Sequence, residues 1–221
     1  MFNRACGRCF ARWKRRSVFA GAITALGLSF LCVSAHADGS GLYLSLGVGL
    51  RSTTGSVQFP SIGSSADVGE TNLAGDLTAG WMLGLGDYFS LAIGAFFQPS
   101  TGDAQISAGS LSATFRQHNR YGLVLEPGFT LGEEGTTLYF KLSYSAAKSE
   151  IAFSDGTSSS ENVMGPGLGA GIRYFFGDHM FMYTEFEYAR YSSKSYTIEG
   201  TEVDLSKPTN ATGLLGLGYR F

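Results

Sequence analysis

Charged residues, prolines and cysteines are all scarce in this chain of 221 residues. Charged residues make up only 15% of it and hydrophobic residues 44%, a balance that argues against a disordered chain. The 31 glycines argue against a helical bundle, because glycine destabilises helix interiors. A net charge of −2 gives no basic excess of the kind that nucleic-acid binding requires. Low charge, abundant glycine and 14% aromatic residues instead favour an all-β protein or a membrane protein.

The first 37 residues have the organisation of a secretory signal peptide. Six basic residues and no acidic residue precede an apolar run from Val18 to Val33. The run is short for a membrane span, and Ala35-His36-Ala37 then matches the small-x-small pattern of a signal-peptidase site. We therefore predict a signal peptide over 1–37 and a mature domain over 38–221. A retained helical anchor is the alternative interpretation.

Removal of this segment would change the chemistry of the remaining chain. The three cysteines would leave with it, so residues 38–221 could form neither a disulfide nor a cysteine-based metal site. Six of the 16 basic residues would also leave, but none of the 18 acidic residues, so the mature domain is acidic. Such a domain must be stabilised by a packed core or by a membrane.

Residues 38–221 alternate between apolar and small or polar residues with a period of two. Successive side chains of a strand point to opposite faces, so this pattern predicts strands with one apolar face. Each of eight segments has roughly the ten residues that a tilted strand needs to cross a bilayer. The segments are 42–51, 73–83, 89–98, 120–131, 138–145, 164–174, 181–188 and 214–221.

The connections between these segments alternate strictly between short and long. The short ones, with glycine and acidic residues typical of tight turns, are 84–87, 132–135 and 176–179. The long ones, rich in Ser, Thr, Gly and Asp, are 52–71, 99–110, 149–161 and 192–210. A soluble sandwich has no reason to alternate in this way. An outer-membrane barrel does, because its periplasmic turns are short and its extracellular loops long.

We therefore predict an all-β protein, an eight-stranded antiparallel up-and-down transmembrane β-barrel. Pro127 and Pro166 lie on the apolar faces of their strands, and each should weaken the pairing or introduce a bulge because it lacks a ladder donor. Aromatic residues cluster near the short-turn end, where such barrels carry an aromatic girdle. They are Tyr43, Trp81, Phe89, Phe129, Phe140, Tyr174, Tyr219 and Phe221.

The last eight residues, 214–221, resemble the terminal assembly signal of bacterial outer-membrane barrels. In that family a glycine, an aromatic residue two positions before the end and a final Phe are recognised by the insertion machinery. Gly216, Tyr219 and Phe221 match this pattern, whereas Leu214 stands where a polar residue is usual. The layout is similar to small barrels of the opacity-protein and OmpA-membrane-domain type. The resemblance implies the fold, the bacterial outer membrane and the barrel-assembly machinery as a partner, but hardly an activity.

Charged residues on the inward face are expected to form a network in the barrel lumen. A lipid-facing Arg or Lys at mid-depth would cost about 2–4 kcal/mol, and an unpaired buried charge is also costly. The expected network is Asp76, Glu126, Lys141, Arg173, Glu185, Glu187 and Arg220. Counted outward from the turn 132–135, Lys141 lies opposite Glu126, and we predict an ion pair between them.

Glycines recur at every second position in Gly165-Pro166-Gly167-Leu168-Gly169, and similar pairs occur in the first and last segments. A phosphate-binding loop would require a helix after it, so we interpret these glycines as one face of a strand. An eight-stranded barrel is barely wide enough for its inward side chains. The glycines should therefore make room for long side chains from other strands.

Nothing in the sequence points to a catalytic, cofactor or metal site. Glu185 and Glu187 share one face, but nothing distinguishes them from ordinary lumen acids. His118 and His179 each lack a serine two positions away on the same face, so neither fits a Ser–His lipid-modifying site. We interpret both histidines as solvated polar residues.

The favoured function is that of a surface or structural protein without enzymatic activity. Its loops would serve adhesion to host or envelope ligands and pack against outer-membrane lipid and lipopolysaccharide. Apolar exceptions in the loops are Val57, Phe59, Ile62, Ile151 and Phe153. A small porin-like channel and a lipid-modifying barrel enzyme are the alternatives. We expect no wide open pore, because bulky side chains such as Phe96, Tyr139, Phe181 and Tyr183 fall on the inward face.

Overall fold

The computed structural model describes residues 40–59, 64–99, 103–108, 111–131, 135–153, 158–198 and 201–221. The predicted signal peptide lies outside these ranges, as do Ile62 and most of the turn 132–135. All described residues belong to one compact unit, Ala37–Phe221. Within the described ranges, the structure contains no helix that is long and apolar enough to cross a membrane.

The described residues form ten strands, all in antiparallel pairings. They are β1 (Gly41–Phe59), β2 (Ser64–Gly84), β3 (Phe89–Gln98), β4 (Asp103–Ala108), β5 (Leu111–Leu131), β6 (Thr136–Phe153), β7 (Ser158–Phe176), β8 (Met180–Arg190), β9 (Lys194–Ile198) and β10 (Thr201–Arg220). Eight of them pair in the order β1, β2, β3, β5, β6, β7, β8, β10, and β10 pairs with β1 to close the cylinder. The predicted eight-stranded up-and-down barrel is confirmed.

The strands extend well beyond the ten-residue segments predicted from the sequence. β1 continues to Phe59, and β5 covers 21 residues. The short strands β4 and β9 pair with β5 and β10, so much of the chain predicted as long loops is in fact paired strand. The polar composition misled the prediction, because the alternation of apolar residues ends where the barrel leaves the lipid. The backbone ladder needs no apolar face and continues beyond that level.

The outward face of the barrel is apolar across its middle. Leu46, Leu123 and Leu168 are each more than 60% exposed, whereas their inward-facing neighbours Ser45 and Val124 are buried. This is the reverse of a soluble protein, in which large apolar side chains turn inward. An exposed apolar surface that encircles the barrel is the lipid-facing band of an outer-membrane protein.

Aromatic side chains border this band at both ends. Seven of the eight predicted girdle residues lie on the outward face, but Tyr43 does not: it is 1% exposed and points into the lumen against Phe181, with ring centroids 6.3 Å apart. The strand alternation itself places Tyr43 opposite the outward leucines of β1. A second outward group at the other end of the barrel was not predicted and comprises Phe97, Tyr121, Tyr144 and Tyr188.

The short turns contain the glycines that tight turns require. Gly86, Gly135 and Gly177 have φ angles of 84°, 71° and 75°, a region that favours glycine because it lacks a Cβ atom. One of them lies in each of the three predicted short turns.

The ladder between β5 and β6 has two irregularities. It is interrupted at Glu126 and Pro127, as predicted for a residue without an N–H donor, and it resumes in the same register at Gly128. Near the outer end the register shifts by one residue between Gln117 and Arg120. This bulge turns both Gln117 and Arg120 inward, so that both are buried.

Candidate functional site

The lumen is the candidate site, because its wall carries eight buried charged side chains among the described residues. Six belong to the predicted set, namely Asp76, Glu126, Lys141, Arg173, Glu185 and Glu187. The seventh predicted residue, Arg220, lies at the rim that carries the short turns, which the predicted topology places in the periplasm. There it donates a hydrogen bond to the carbonyl oxygen of Asp178 (2.9 Å) and its guanidinium carbon lies 4.7 Å from the ring centroid of Phe175.

Arg173 organises the layer nearest the periplasm. Its Nη2 donates to Glu126 Oε2 at 2.8 Å, and both side chains are buried. The guanidinium carbon lies 4.6 Å from the ring centroid of Tyr139 and 5.0 Å from that of Phe181. Aromatic faces attract a cation. The ion pair with Glu126 and the two rings therefore fix the Arg173 side chain in the lumen.

Lys141 organises the next layer. Its Nζ lies 2.6 Å from Glu185 Oε1 and 3.4 Å from Glu187 Oε2, and Tyr139 Oη donates to Glu185 Oε2 at 3.0 Å. The predicted ion pair between Lys141 and Glu126 is therefore wrong. The register behind it is correct, because Leu125 faces Leu142 and Gly128 faces Tyr139 on either side of these two residues.

Glycines on β7 explain why the partner differs. Lys141 faces Gly169 on β7, and Gly169 faces Glu187 on β8. One row nearer the periplasm, Tyr139, Gly171 and Glu185 line up in the same way. With no side chain on β7, groups on β6 reach across it to β8 and meet the glutamates there.

The glycines thus make room for long side chains, as the sequence indicated. A Cβ atom at Gly171 would lie 2.5 Å from Tyr139 Oη, and one at Gly47 would lie 2.5 Å from Tyr183 Oη. Tyr183 also lies against Gly216 of β10, so one β8 side chain covers the junction where β10 meets β1. Side-chain atoms of this kind do not approach a Cβ atom so closely, so no larger residue fits at these positions without displacement.

Arg120 closes the lumen above Lys141. Its guanidinium binds Glu187 through both terminal nitrogens, and its Nη1 also donates to Gln98 Oε1 at 3.1 Å. Ser143 Oγ donates a further hydrogen bond to Glu187. Such a two-pronged guanidinium–carboxylate pair fixes geometry as well as charge.

Arg51 and Arg120 were absent from the predicted network, although both are buried. Each is the terminal residue of its alternating segment, next to a polar connection. The signal was the alternation itself, because both have the same parity as their inward neighbours.

Among the described residues, no cation forms an ion pair with Asp76. It accepts hydrogen bonds from Thr78 Oγ1 at 3.0 Å, Gln98 Nε2 at 2.9 Å and Tyr183 Oη at 3.2 Å. Three neutral donors replace the water that a carboxylate loses on burial.

Little free space remains in the middle of the lumen. The cavity between the Arg173 and Lys141 layers has a volume of about 10 Å³, enough for at most one water molecule. A wider recess of about 630 Å³ opens at the periplasmic end and is lined in part by Met82, Phe175 and Arg220. The ion-paired residues do not line this recess.

Beyond the outer aromatic group, the lumen contains buried apolar residues as well as polar ones. Val57, Ile151 and Leu205 are at most 1% exposed. Val57 and Ile151 were predicted to lie in loops. That prediction is wrong, because paired strands continue to this level and turn both side chains inward. Phe59 and Phe153 are the last residues of β1 and β6.

His118 and His179 lie at opposite ends of the barrel. His118 Nε2 is 3.3 Å from Glu150 Oε2 at the outer end, and His179 Nδ1 is 2.9 Å from the carbonyl oxygen of Arg220 in the periplasmic turn. His179 also stacks on Tyr219, with ring centroids 5.4 Å apart. In the part of the chain that the structure describes, no group of three or more His, Cys, Asp or Glu residues could hold a metal ion.

A family model described as an outer membrane protein beta-barrel domain matches residues 23–221. The chain belongs to this family. The protein is therefore an integral barrel of the bacterial outer membrane, of the surface or porin-like kind. This agrees with the apolar outward band and the aromatic borders described above.

Solved structures of similar fold include two outer-membrane proteins. The barrel resembles OprG from Pseudomonas aeruginosa with a TM-score of 0.51 and 16% identity, over 83% of this chain and 97% of that one. It resembles Neisserial surface protein A with a TM-score of 0.50 and 14% identity, over 84% of this chain and all (100%) of that one. At these identities the likeness concerns the fold alone. No curated protein sequence is similar enough to this chain to count as a match.

Proposed function

We propose that this outer-membrane barrel is a non-enzymatic surface and structural protein whose lumen is sealed. The observation that carries the proposal is the stack of ion-paired layers, formed by Arg173 with Glu126, Lys141 with Glu185, and Arg120 with Glu187. A solute could pass only by separating buried ion pairs. Breaking such a pair by removal of one partner costs about 3–5 kcal/mol.

Contacts with other molecules are then left to the outer surface and the strand extensions. Arg190 is exposed two residues beyond Tyr188 of the outer aromatic group, and Lys148 is exposed four residues beyond Tyr144. Cations at this level would meet the phosphate groups of lipopolysaccharide. The hairpins beyond them would present the surface that binds host or envelope ligands, since loops held by a rigid scaffold often carry function.

The assembly signal is also part of this proposal. Tyr219 and Phe221 lie outward at the periplasmic end of β10, with their rings 4.9 Å apart and both exposed. Gly216 faces inward and gives space to Tyr183. This arrangement leaves both aromatic rings accessible to the barrel-assembly machinery.

Conductance across a planar bilayer tests the sealed lumen. We expect the wild-type barrel to give little or intermittent current. Replacement of Arg120 and Lys141 together by alanine should raise the current, whereas Arg190→Ala on the outward face should leave it unchanged.

A small pore is the second candidate, favoured by the recess of about 630 Å³ at the periplasmic mouth. A steady, large single-channel conductance of the wild-type protein would support the pore and refute the sealed lumen.

A further inference from the structure

Arg51 is a buried cation for which the described residues provide no acidic partner. It is 2% exposed, and its Nη1 has no hydrogen-bond partner. The other buried cations of the lumen, Arg120, Lys141 and Arg173, all bind glutamates. An uncompensated buried charge is strongly unfavourable.

No acid among the described residues forms an ion pair with Arg51; the nearest in register, Glu70, faces Thr53, two residues further along β1. The cross-strand neighbours of Arg51 are Thr212 on β10 and Asn72 on β2. Its charged neighbour Arg120 is itself a cation and binds the carboxylate of Glu187.

The carboxylate of Asp76 does not fill this role either. Asp76 faces Gly47, which lies four residues before Arg51 along β1. At about 3.3 Å per residue, this separation is about 13 Å. The three hydrogen bonds that Asp76 accepts come from neutral donors.

Three other polar groups in this part of the lumen can donate a hydrogen bond but have no partner. They are Gln117 Nε2, Ser149 Oγ and Thr212 Oγ1. Gln117 and Ser149 face each other across the β5–β6 ladder. Gln117 Oε1 accepts hydrogen bonds from Asn210 Nδ2 at 2.8 Å and Thr53 Oγ1 at 3.3 Å, which ties it to the wall that carries Arg51.

Donors therefore outnumber acceptors here. Close to Arg51 in register, Asn210 Oδ1 is the unpaired acceptor among the described residues, against Nη1 of Arg51, the amide of Gln117 and two hydroxyls. Asp204 Oδ1 is unpaired too, but Asp204 faces Gln58, seven residues beyond Arg51 on β1, a separation of about 23 Å. Water could satisfy these donors but would leave the charge of Arg51 uncompensated. Val57 and Leu205, which face each other six residues beyond Arg51 on β1, are both buried.

We propose that a small inorganic anion of the halide class binds in the outer lumen to Arg51 and these unpaired donors. A buried site with one positive charge and several donors favours a small anion. The anion would be taken up as the barrel folds around it. It would neutralise the charge that the protein itself leaves unpaired.

Anomalous diffraction from wild-type barrel refolded and crystallised in sodium bromide tests this directly. We expect a bromide peak beside Arg51 Nη1 in the outer lumen. Density for water alone at that position would overturn the proposal, whether or not bromide is bound elsewhere in the crystal. This measurement needs no variant and so does not depend on whether a substituted barrel folds.

The dependence of stability on bromide gives a second test. The comparison is between sodium gluconate and sodium bromide at the same ionic strength. Bromide at about ten times its Kd should lower the equilibrium constant for unfolding of the wild type roughly tenfold relative to gluconate. Arg51→Met should abolish this dependence and should be at least as stable as the wild type in gluconate alone. Arg190→Met, which removes an exposed arginine, should keep the dependence. Equal bromide dependence in Arg51→Met and the wild type would refute the proposal.

Discussion

The Arg120–Glu187 pair should stabilise the barrel through the mutual compensation of two buried charges. Glu187→Met leaves Arg120 buried without its carboxylate and deprives Lys141 of its second acid, at 3.4 Å. We expect a loss of about 3–5 kcal/mol in the free energy of unfolding, because a buried charge is stranded. Arg120→Met should cost less, since Lys141 remains close enough to compensate Glu187 in part.

The double variant Arg120→Met with Glu187→Met distinguishes charge compensation from packing. With both charges gone, Lys141 keeps Glu185 at 2.6 Å, and two apolar side chains of similar length fill the space. The loss should therefore be smaller than the sum of the two single losses, by about 2–3 kcal/mol.

Urea unfolding in lipid vesicles, followed by the fluorescence of Trp81, measures these values. Trp81 is the one tryptophan that follows the predicted cleavage site. Glu161→Gln, on an exposed side chain of β7, is the control and should change stability by less than about 0.5 kcal/mol. Additive losses in the two single variants and the double variant would refute the reasoning.

Three further predictions follow from particular contacts. Tyr43 Oη has no hydrogen-bond partner, so Tyr43→Phe should be neutral or stabilising, whereas Tyr139→Phe removes a bond to Glu185 and should cost about 1–3 kcal/mol in the same unfolding assay. Equal losses in the two variants would contradict this. Gly171→Leu should block folding of the barrel, because the added Cβ atom would clash with Tyr139. The measurement is loss of the heat-modifiable band in gel electrophoresis, and normal folding would mean that the lumen is less tightly packed than described. Protease added to intact cells should cut the connection between β1 and β2 and spare the turn between β2 and β3; the reverse pattern would invert the topology.

The alternation of apolar residues was sufficient to predict the strands, their faces and the closed barrel. It failed at the strand ends, because outside the lipid both faces are polar and the pattern no longer differs from that of a loop. Arg51 and Arg120 keep the inward parity of their segments, but they were left out of the predicted network as terminal residues next to polar connections.

The ion pairs were predicted less well than the register. Directly opposed residues on neighbouring strands were taken as partners, but Lys141 reaches over Gly169 to the glutamates of β8. The glycine pattern and the register together contained this information. The side-chain contacts depend on the three-dimensional curvature of the wall, which a one-dimensional pattern does not describe.

The ring of Tyr183 has a consequence for how the two ends of the chain stay joined. The barrel closes where its first strand pairs with its last, β1 with β10, and a side chain in the lumen packs against both of these strands. The phenol of Tyr183 presses on Gly47 of β1 and Gly216 of β10, and its hydroxyl is bound to Asp76 of β2. Parting β1 from β10 would thus require withdrawal of a side chain from a third strand as well as loss of the backbone ladder. The pairing of the first and last strands is thereby held by a side chain of the lumen as well as by backbone hydrogen bonds.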